Sequence, residues 1–172
     1  MNLIDLVKVY PRAFSEEHCQ QLIDIYDNSA TKSFETDIMK FDQVTLLNNN
    51  APTMQSVQIF LNYFNQYRRY LEKKGNKFLP HTQELEQLRI KKYPVGGYFK
   101  EHIDAADKNS SRRYLSAFVY LNKSGGTKFF DKVIKADVGT LVIFPPQWMF
   151  PHTGLVGDKE KYFLSTYLHF SA

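Results

Sequence analysis

Cysteine is almost missing from this chain: Cys19 stands alone. No internal disulfide can form, and the expected setting is a reducing, cytoplasmic one. Cys19 itself reads as a packing residue on a helix. Long apolar runs are also lacking, and no stretch reaches the roughly 20 residues that a membrane helix needs. The opening MNLIDLVKVY carries acid and base among its apolar residues and does not read as a signal peptide. A basic stripe is absent too. Lys and Arg exceed Asp and Glu by only four, in scattered pairs such as Arg68-Arg69, Lys73-Lys74, Lys91-Lys92 and Arg112-Arg113. A nucleic-acid partner is therefore not expected. No repeat and no low-complexity segment appears. These absences leave a soluble globular protein, and 172 residues suffice for a single domain with one sizeable core. Nothing in them fixes the oligomeric state.

Aromatic residues are what the chain has in quantity: fourteen Phe and eleven Tyr. Such a core is common in β-sheet proteins. The first eighty residues read as an N-terminal strand and supporting helices. Leu3 to Tyr10 suggests a strand ended by Pro11. Ser15 is the expected N-cap of a helix on which Cys19, Leu22, Ile23 and Tyr26 recur at helical spacing. Residues 28–53 read as loop, with a short strand at Gln43–Leu47. Pro52 opens a second helix, whose apolar face is Val57, Phe60, Leu61, Phe64, Tyr67 and Leu71. Residues 81–172 change texture. Short β-prone runs at Leu88–Tyr93, Tyr114–Asn122, Thr127–Asp131, Lys132–Ala136, Thr140–Phe144 and Lys161–Phe170 are separated by Gly, Asn, Pro and Asp. The expected class is mainly β with flanking helices (α+β). A jelly-roll core of the cupin kind, buttressed by the N-terminal helices, fits this order.

The chemistry centres on YPVGGYFKEHIDA, Tyr93 to Ala105. On a strand, His102 and Asp104 point to one face and can reach one metal. Alone, such a triplet also reads as two polar residues at a strand edge. A third ligand would come from His81, His152 or His169. His169, on an alternating strand, is more often a partly buried structural histidine. Two imidazoles and a carboxylate suit non-haem Fe(II), but zinc hydrolases use the same set. Lys161 heads a core strand, where its charge is costly unless paired. A dicarboxylate would pair it; a lysine bending out to water is the alternative, and Lys159 shares its parity. Trp148 reads either as a wall of the site or as a core residue.

Taken together these elements resemble the Fe(II)/2-oxoglutarate-dependent dioxygenases, specifically their prolyl 4-hydroxylase-like group. Tyr93, Gly96, Phe99, His102 and Asp104 fit Tyr-x-x-Gly-x-x-(Tyr/Phe)-x-x-His-x-Asp. Tyr120-Leu121-Asn122, Gly125-Gly126, the strand Gly139–Phe144, then His152 and Lys161 follow in the family's order. The match covers roughly residues 88–170, and Leu3–Ile25 resembles the family's strand-then-helix opening. The resemblance implies a double-stranded β-helix core. It implies that His102, Asp104 and His152 hold Fe(II) and are catalytic. It further implies that Lys161 pairs with the far carboxylate of 2-oxoglutarate, helped by the Tyr120 hydroxyl, with Tyr93 along the cosubstrate. O₂ is the oxidant, ascorbate an auxiliary reductant, and succinate and CO₂ the coproducts. The implied reaction is hydroxylation of a C–H bond in a prolyl residue of a peptide or protein. The same chemistry on a free amino acid or an alkylated base, and a non-catalytic metal-binding β-helix module, are the alternatives. Gly96-Gly97 and Gly125-Gly126 are expected to permit turns that bulkier residues resist.

Overall fold

Ser15 accepts a hydrogen bond from the backbone of His18 and so begins helix α1, Glu16–Asp27. A computed structural model describes residues 2–76 and 78–171. Asn50 caps the longer helix α2, Ala51–Lys73, with Pro52 in its first turn. Both helices bury one stripe. Cys19, Leu22 and Tyr26 of α1 join Phe60, Phe64, Tyr67 and Leu71 of α2 in the largest core cluster.

That cluster is completed by one face of a seven-stranded sheet. Its strands are β1 (Lys8–Tyr10), β2 (Lys32–Glu35), β3 (Lys40–Thr45), β4 (Arg89–Tyr93), β6 (Arg113–Tyr120), β9 (Leu141–Phe144) and β11 (Lys161–His169). Their spatial order is β1-β9-β6-β11-β4-β3-β2. A second sheet, ordered β5-β10-β7-β8, contains β5 (Phe99–His102), β7 (Gly126–Phe129), β8 (Lys132–Lys135) and β10 (His152–Leu155). Every pairing is antiparallel. Two sheets with helices on the outside of the larger one form the expected jelly roll.

The period of two along β6 and β11 decides what faces what. Leu115, Ala117 and Val119 of β6, with Tyr162, Leu164 and Leu168 of β11, turn towards the helices. Their neighbours Ser116, Phe118 and Tyr120, with Lys161, Phe163, Ser165 and Tyr167, turn into a cavity between the sheets. A continuous apolar run in sequence thus serves two different environments.

Several boundaries differ from expectation. Leu3–Leu6 is a 3-10 turn, and only Lys8–Tyr10 pairs as a strand, against β9. Residues 28–53 are not a plain loop but contain the hairpin β2-β3. Its outer strand, KSFE, is mostly exposed and carries one apolar side chain, so no alternation betrays it. The strand expected at Gln43–Leu47 is β3, beginning three residues earlier. Among the described residues, no helix is long and apolar enough to cross a membrane.

Candidate active site

His102 is the last residue of β5, and His152 the first of β10, and the two pair directly across that ladder. Their rings sit 4.3 Å apart between centroids. Each ring is fixed at Nδ1: His102 bonds the Lys100 carbonyl at 2.8 Å, and His152 the Phe150 carbonyl at 3.1 Å. A carbonyl can only accept, so Nδ1 carries the proton and Nε2 presents its lone pair. Both Nε2 atoms face Asp104 Oδ1, at 3.6 and 3.7 Å. The three groups offer ligand atoms all within 4.8 Å of one another.

Asp104 reaches this place differently from the expected way. Strand β5 ends at His102, so the two residues are not i and i+2 of one strand. The chain has already left the sheet, with Ala105 N–H bonded to the Pro146 carbonyl at 3.0 Å. Arg113 Nη1 donates to the Asp104 carbonyl at 2.6 Å, and the Ser116 hydroxyl donates to Oδ2 at 2.7 Å. Those two bonds turn Oδ1 towards the imidazoles. Burial alone would raise the Asp104 pKa. The neighbouring His152 and His102 and the Ser116 hydroxyl outweigh it and hold the carboxyl well below its usual range. Burial lowers the pKa of His152, favouring the neutral ligating form.

The same cavity contains the Lys161 ammonium. Lys161 is 4% exposed. It donates to the carbonyls of Gly126 at 2.9 Å and Leu155 at 3.3 Å, and no carboxylate pairs with it among the described residues. Burial pulls its pKa down to about 8. Tyr93 lies beside it, ring centroid 5.1 Å from Nζ, stacked on Phe163. The Tyr120 hydroxyl donates to Thr127 Oγ1 at 2.7 Å within the same cavity. Lys159 is exposed and offers only its backbone carbonyl, to Ser124. Of the two lysines, Lys161 lines the cavity and Lys159 does not.

A buried donor set of two imidazoles and one carboxylate suits a divalent transition metal with open coordination positions. A buried, unpaired ammonium in the same cavity suits a dianion. The residues therefore fit Fe(II) and 2-oxoglutarate. The model of the 2OG-Fe(II) oxygenase superfamily matches residues 65–169, well over half of the chain. The chain belongs to this superfamily. Among curated proteins no relative matches by sequence.

The oxygenase shares its fold with prolyl hydroxylases of known structure. A Pseudomonas putida prolyl-4-hydroxylase is 19% identical with a TM-score of 0.75, over 99% of this chain and 98% of that one. The viral collagen prolyl hydroxylase of Paramecium Bursaria Chlorella virus-1, in its 2OG complex, is 19% identical with a TM-score of 0.71, covering 96% and 97%. A Trichoplax adhaerens prolyl hydroxylase, in complex with a hypoxia inducible factor oxygen degradation domain peptide fragment, is 15% identical with a TM-score of 0.68, covering 95% and 83%. This chain is accordingly a 2-oxoglutarate-dependent dioxygenase with a prolyl 4-hydroxylase-like fold.

Other candidates fall outside the oxygenase site. His81 bonds Arg68 on an exposed face of α2. His169 bonds Glu86 at 2.8 Å, a structural role as expected. Trp148 is 75% exposed and lines neither the cavity nor the core, so both of its expected placements fail.

The supporting residues were not foreseen. Glu86 accepts from Arg89, Arg113 and His169, and Arg113 also stacks on Tyr167 at 3.7 Å. Burial raises the Glu86 pKa, but these donors overcome it and push it down to about 2. A depressed carboxylate contributes stability above its unfolded value, 4.5, which disappears as pH falls from there towards 2. For a mostly buried group this contribution is about 3 kcal/mol. Glu86→Gln should lose about that much at neutral pH and show a flatter acid-unfolding profile. Urea titrations between pH 7 and 3 measure it, and parallel profiles for the two proteins would contradict it.

The glycines have two distinct uses. Gly96 adopts φ +77°, the turn conformation expected of it. At Gly125, φ is +64° and a methyl group would overlap the Leu155 carbonyl oxygen. A methyl on Gly126 would overlap the Ile134 carbonyl oxygen. This pair is therefore more than a turn: it lets the backbone close in where the carbonyls of Gly126 and Leu155 hold Lys161.

Proposed function

We propose that this enzyme hydroxylates a C–H bond of a prolyl residue in a peptide or protein. The balanced reaction is R–H + O₂ + 2-oxoglutarate → R–OH + succinate + CO₂. The observation that carries the reading is the shared cavity: three convergent metal-ligating side chains at one place and an unpaired buried ammonium at another. Likeness of fold to prolyl hydroxylases supports the choice of a prolyl residue.

His102 and His152 through Nε2, and Asp104 through Oδ1, would hold the metal. Fe(II) bound there supplies O₂ activation coupled to oxidative decarboxylation of the cosubstrate. Ser116 and Arg113 keep Asp104 turned inward, so the carboxylate does not spend its charge elsewhere. Lys161 pairs with the far carboxylate of 2-oxoglutarate, and Tyr120 with Thr127 completes that end. Tyr93 and Phe163 form a flat wall that aligns the cosubstrate and keeps water from the ion pair. Ascorbate enters only as a reductant added to the assay.

A mass-spectrometric turnover screen tests the substrate. Fe(II), 2-oxoglutarate and the enzyme are incubated with proline-containing peptides, free amino acids or modified nucleotides, with and without ascorbate. The expected result is a peptide product heavier by one oxygen, formed with equimolar succinate. Turnover of free amino acids or nucleotides alone, with every prolyl peptide inert, would overturn the prolyl assignment.

A further inference from the structure

The cavity is lined by a second ammonium, which the reaction above leaves unused. Lys91 lies two residues before Tyr93 on β4, on the same face, opposite Phe163 of β11. Its Nζ sits 4.9 Å from the ring centroid of Phe41 and 5.6 Å from those of Phe99 and Phe163. Aromatic faces attract the charge but do not replace the three hydrogen-bond acceptors an ammonium has in water. Lys91 is half-buried, and its Nζ makes no hydrogen bond or ion pair to the chain among the described residues. Asp104, the nearest cavity carboxylate by charge, lies beyond ion-pair distance, although its attraction is felt. The rings surround the ammonium of a half-buried lysine, which bonds no acceptor of the chain among the described residues.

The cosubstrate cannot supply it within the reading above. One end of 2-oxoglutarate belongs to the metal, and its far carboxylate belongs to Lys161. Lys91 and Lys161 both lie against the Phe163 ring, at 5.6 and 5.9 Å from its centroid. Lys91 lines the cavity, and the substrate is the component of the reaction not yet accounted for.

We propose that Lys91 is a specificity-determining residue that binds a carboxylate of the substrate, close to the carbon that is hydroxylated. This rests on the oxygenase reading of the site. The carboxylate has two sources: the α-carboxylate of a free or C-terminal residue, or an acidic side chain beside the target residue.

The test separates binding from turnover. Enzyme loaded with Mn(II) and 2-oxoglutarate under anaerobic conditions is titrated with matched pairs of probes. These are L-proline against L-prolinamide, a prolyl-terminated peptide against its amide, and a capped Pro-Asp peptide against its Pro-Asn counterpart. Wild type should prefer the carboxylate member of at least one pair by about tenfold or more, and the pair that discriminates names the source. Lys91→Met should bring that ratio to about one, and Lys91→Arg should retain most of it. The affinities for Mn(II) and 2-oxoglutarate should not change. Equal binding within every pair, or a preference that survives Lys91→Met, overturns the proposal. So does a loss of 2-oxoglutarate or metal affinity in Lys91→Met, which would assign the lysine to the cosubstrate or to Asp104. Failure of wild type to bind Mn(II) and 2-oxoglutarate at all would bring down the site reading and this proposal together; it is read before any probe is added.

Discussion

Replacing His102 with alanine is expected to abolish both metal binding and turnover. The imidazole is one of only three groups that converge, and its Nε2 is aimed by a fixed Nδ1 bond to Lys100. No other His, Cys, Asp or Glu completes a cluster with Asp104 and His152 among the described residues. Disturbing a group that merely orients a ligand costs about ten- to a hundredfold in metal affinity or activity. Loss of a ligand itself should exceed that range. Isothermal titration with Co(II) or Mn(II), and succinate release with Fe(II), measure the two effects. His152→Ala should behave in the same way. The fold of His102→Ala should survive, because the His102 ring stacks on Phe99, outside both buried core clusters. Succinate formation at wild-type rates by a folded His102→Ala protein would remove the metal assignment.

Lys161→Met should weaken 2-oxoglutarate binding by about a hundredfold or more, the usual consequence of truncating one partner of a buried charge pair. The same change should stabilise the protein when no cosubstrate is bound. An ammonium with two carbonyl acceptors and no counter-charge is expensive to bury, and methionine of similar volume is not. Opposite signs for affinity and for unliganded stability distinguish a charge awaiting a ligand from an ordinary structural lysine. The pH dependence follows from the same burial. In the folded, unliganded enzyme the group titrates near 8, whereas its unfolded value is 10.5. The unfolded chain therefore holds the proton over that window, and unliganded stability from this group rises with pH between about 8 and 10.5. Cosubstrate affinity moves the other way, falling as the ammonium is lost above about pH 8. Thermal melts and calorimetry across pH 7 to 10, wild type against Lys161→Met, read both trends. A variant that binds 2-oxoglutarate as tightly as wild type would place the far carboxylate elsewhere.

The sequence exposed these residues because their signals are local and ordered. Tyr93, Gly96, Phe99, His102 and Asp104 sit within twelve positions, and His152 with Lys161 follow in a fixed sequence of strands. Helix α1 was readable from its cap and its spacing, both short-range features. The supporting residues carry no such mark. Glu86 lies in an irregular segment, and its partners Arg113 and His169 arrive from β6 and β11 only when the sheet assembles. Ser116 shares parity with Tyr120, a hint that becomes useful only once the inward face of β6 is known. Lys91 stands in the sequence as half of one scattered Lys-Lys pair, because its aromatic surroundings come from three separate strands. Strand β2 was invisible because an exposed outer strand need not alternate.

The pairing of His102 with His152 has one more consequence. Strand β10 is bonded on its other edge to β7, with His152 opposite Phe129. A slide of β10 by one position would carry the imidazole to the far side of its sheet and leave Pro151 or Thr153 facing Asp104. The span from Pro145 to Pro151 therefore works as a ruler. Its length, rather than any side chain within it, sets whether the second imidazole arrives. An insertion or deletion there that the loop failed to absorb would empty the centre while sparing every residue that composes it.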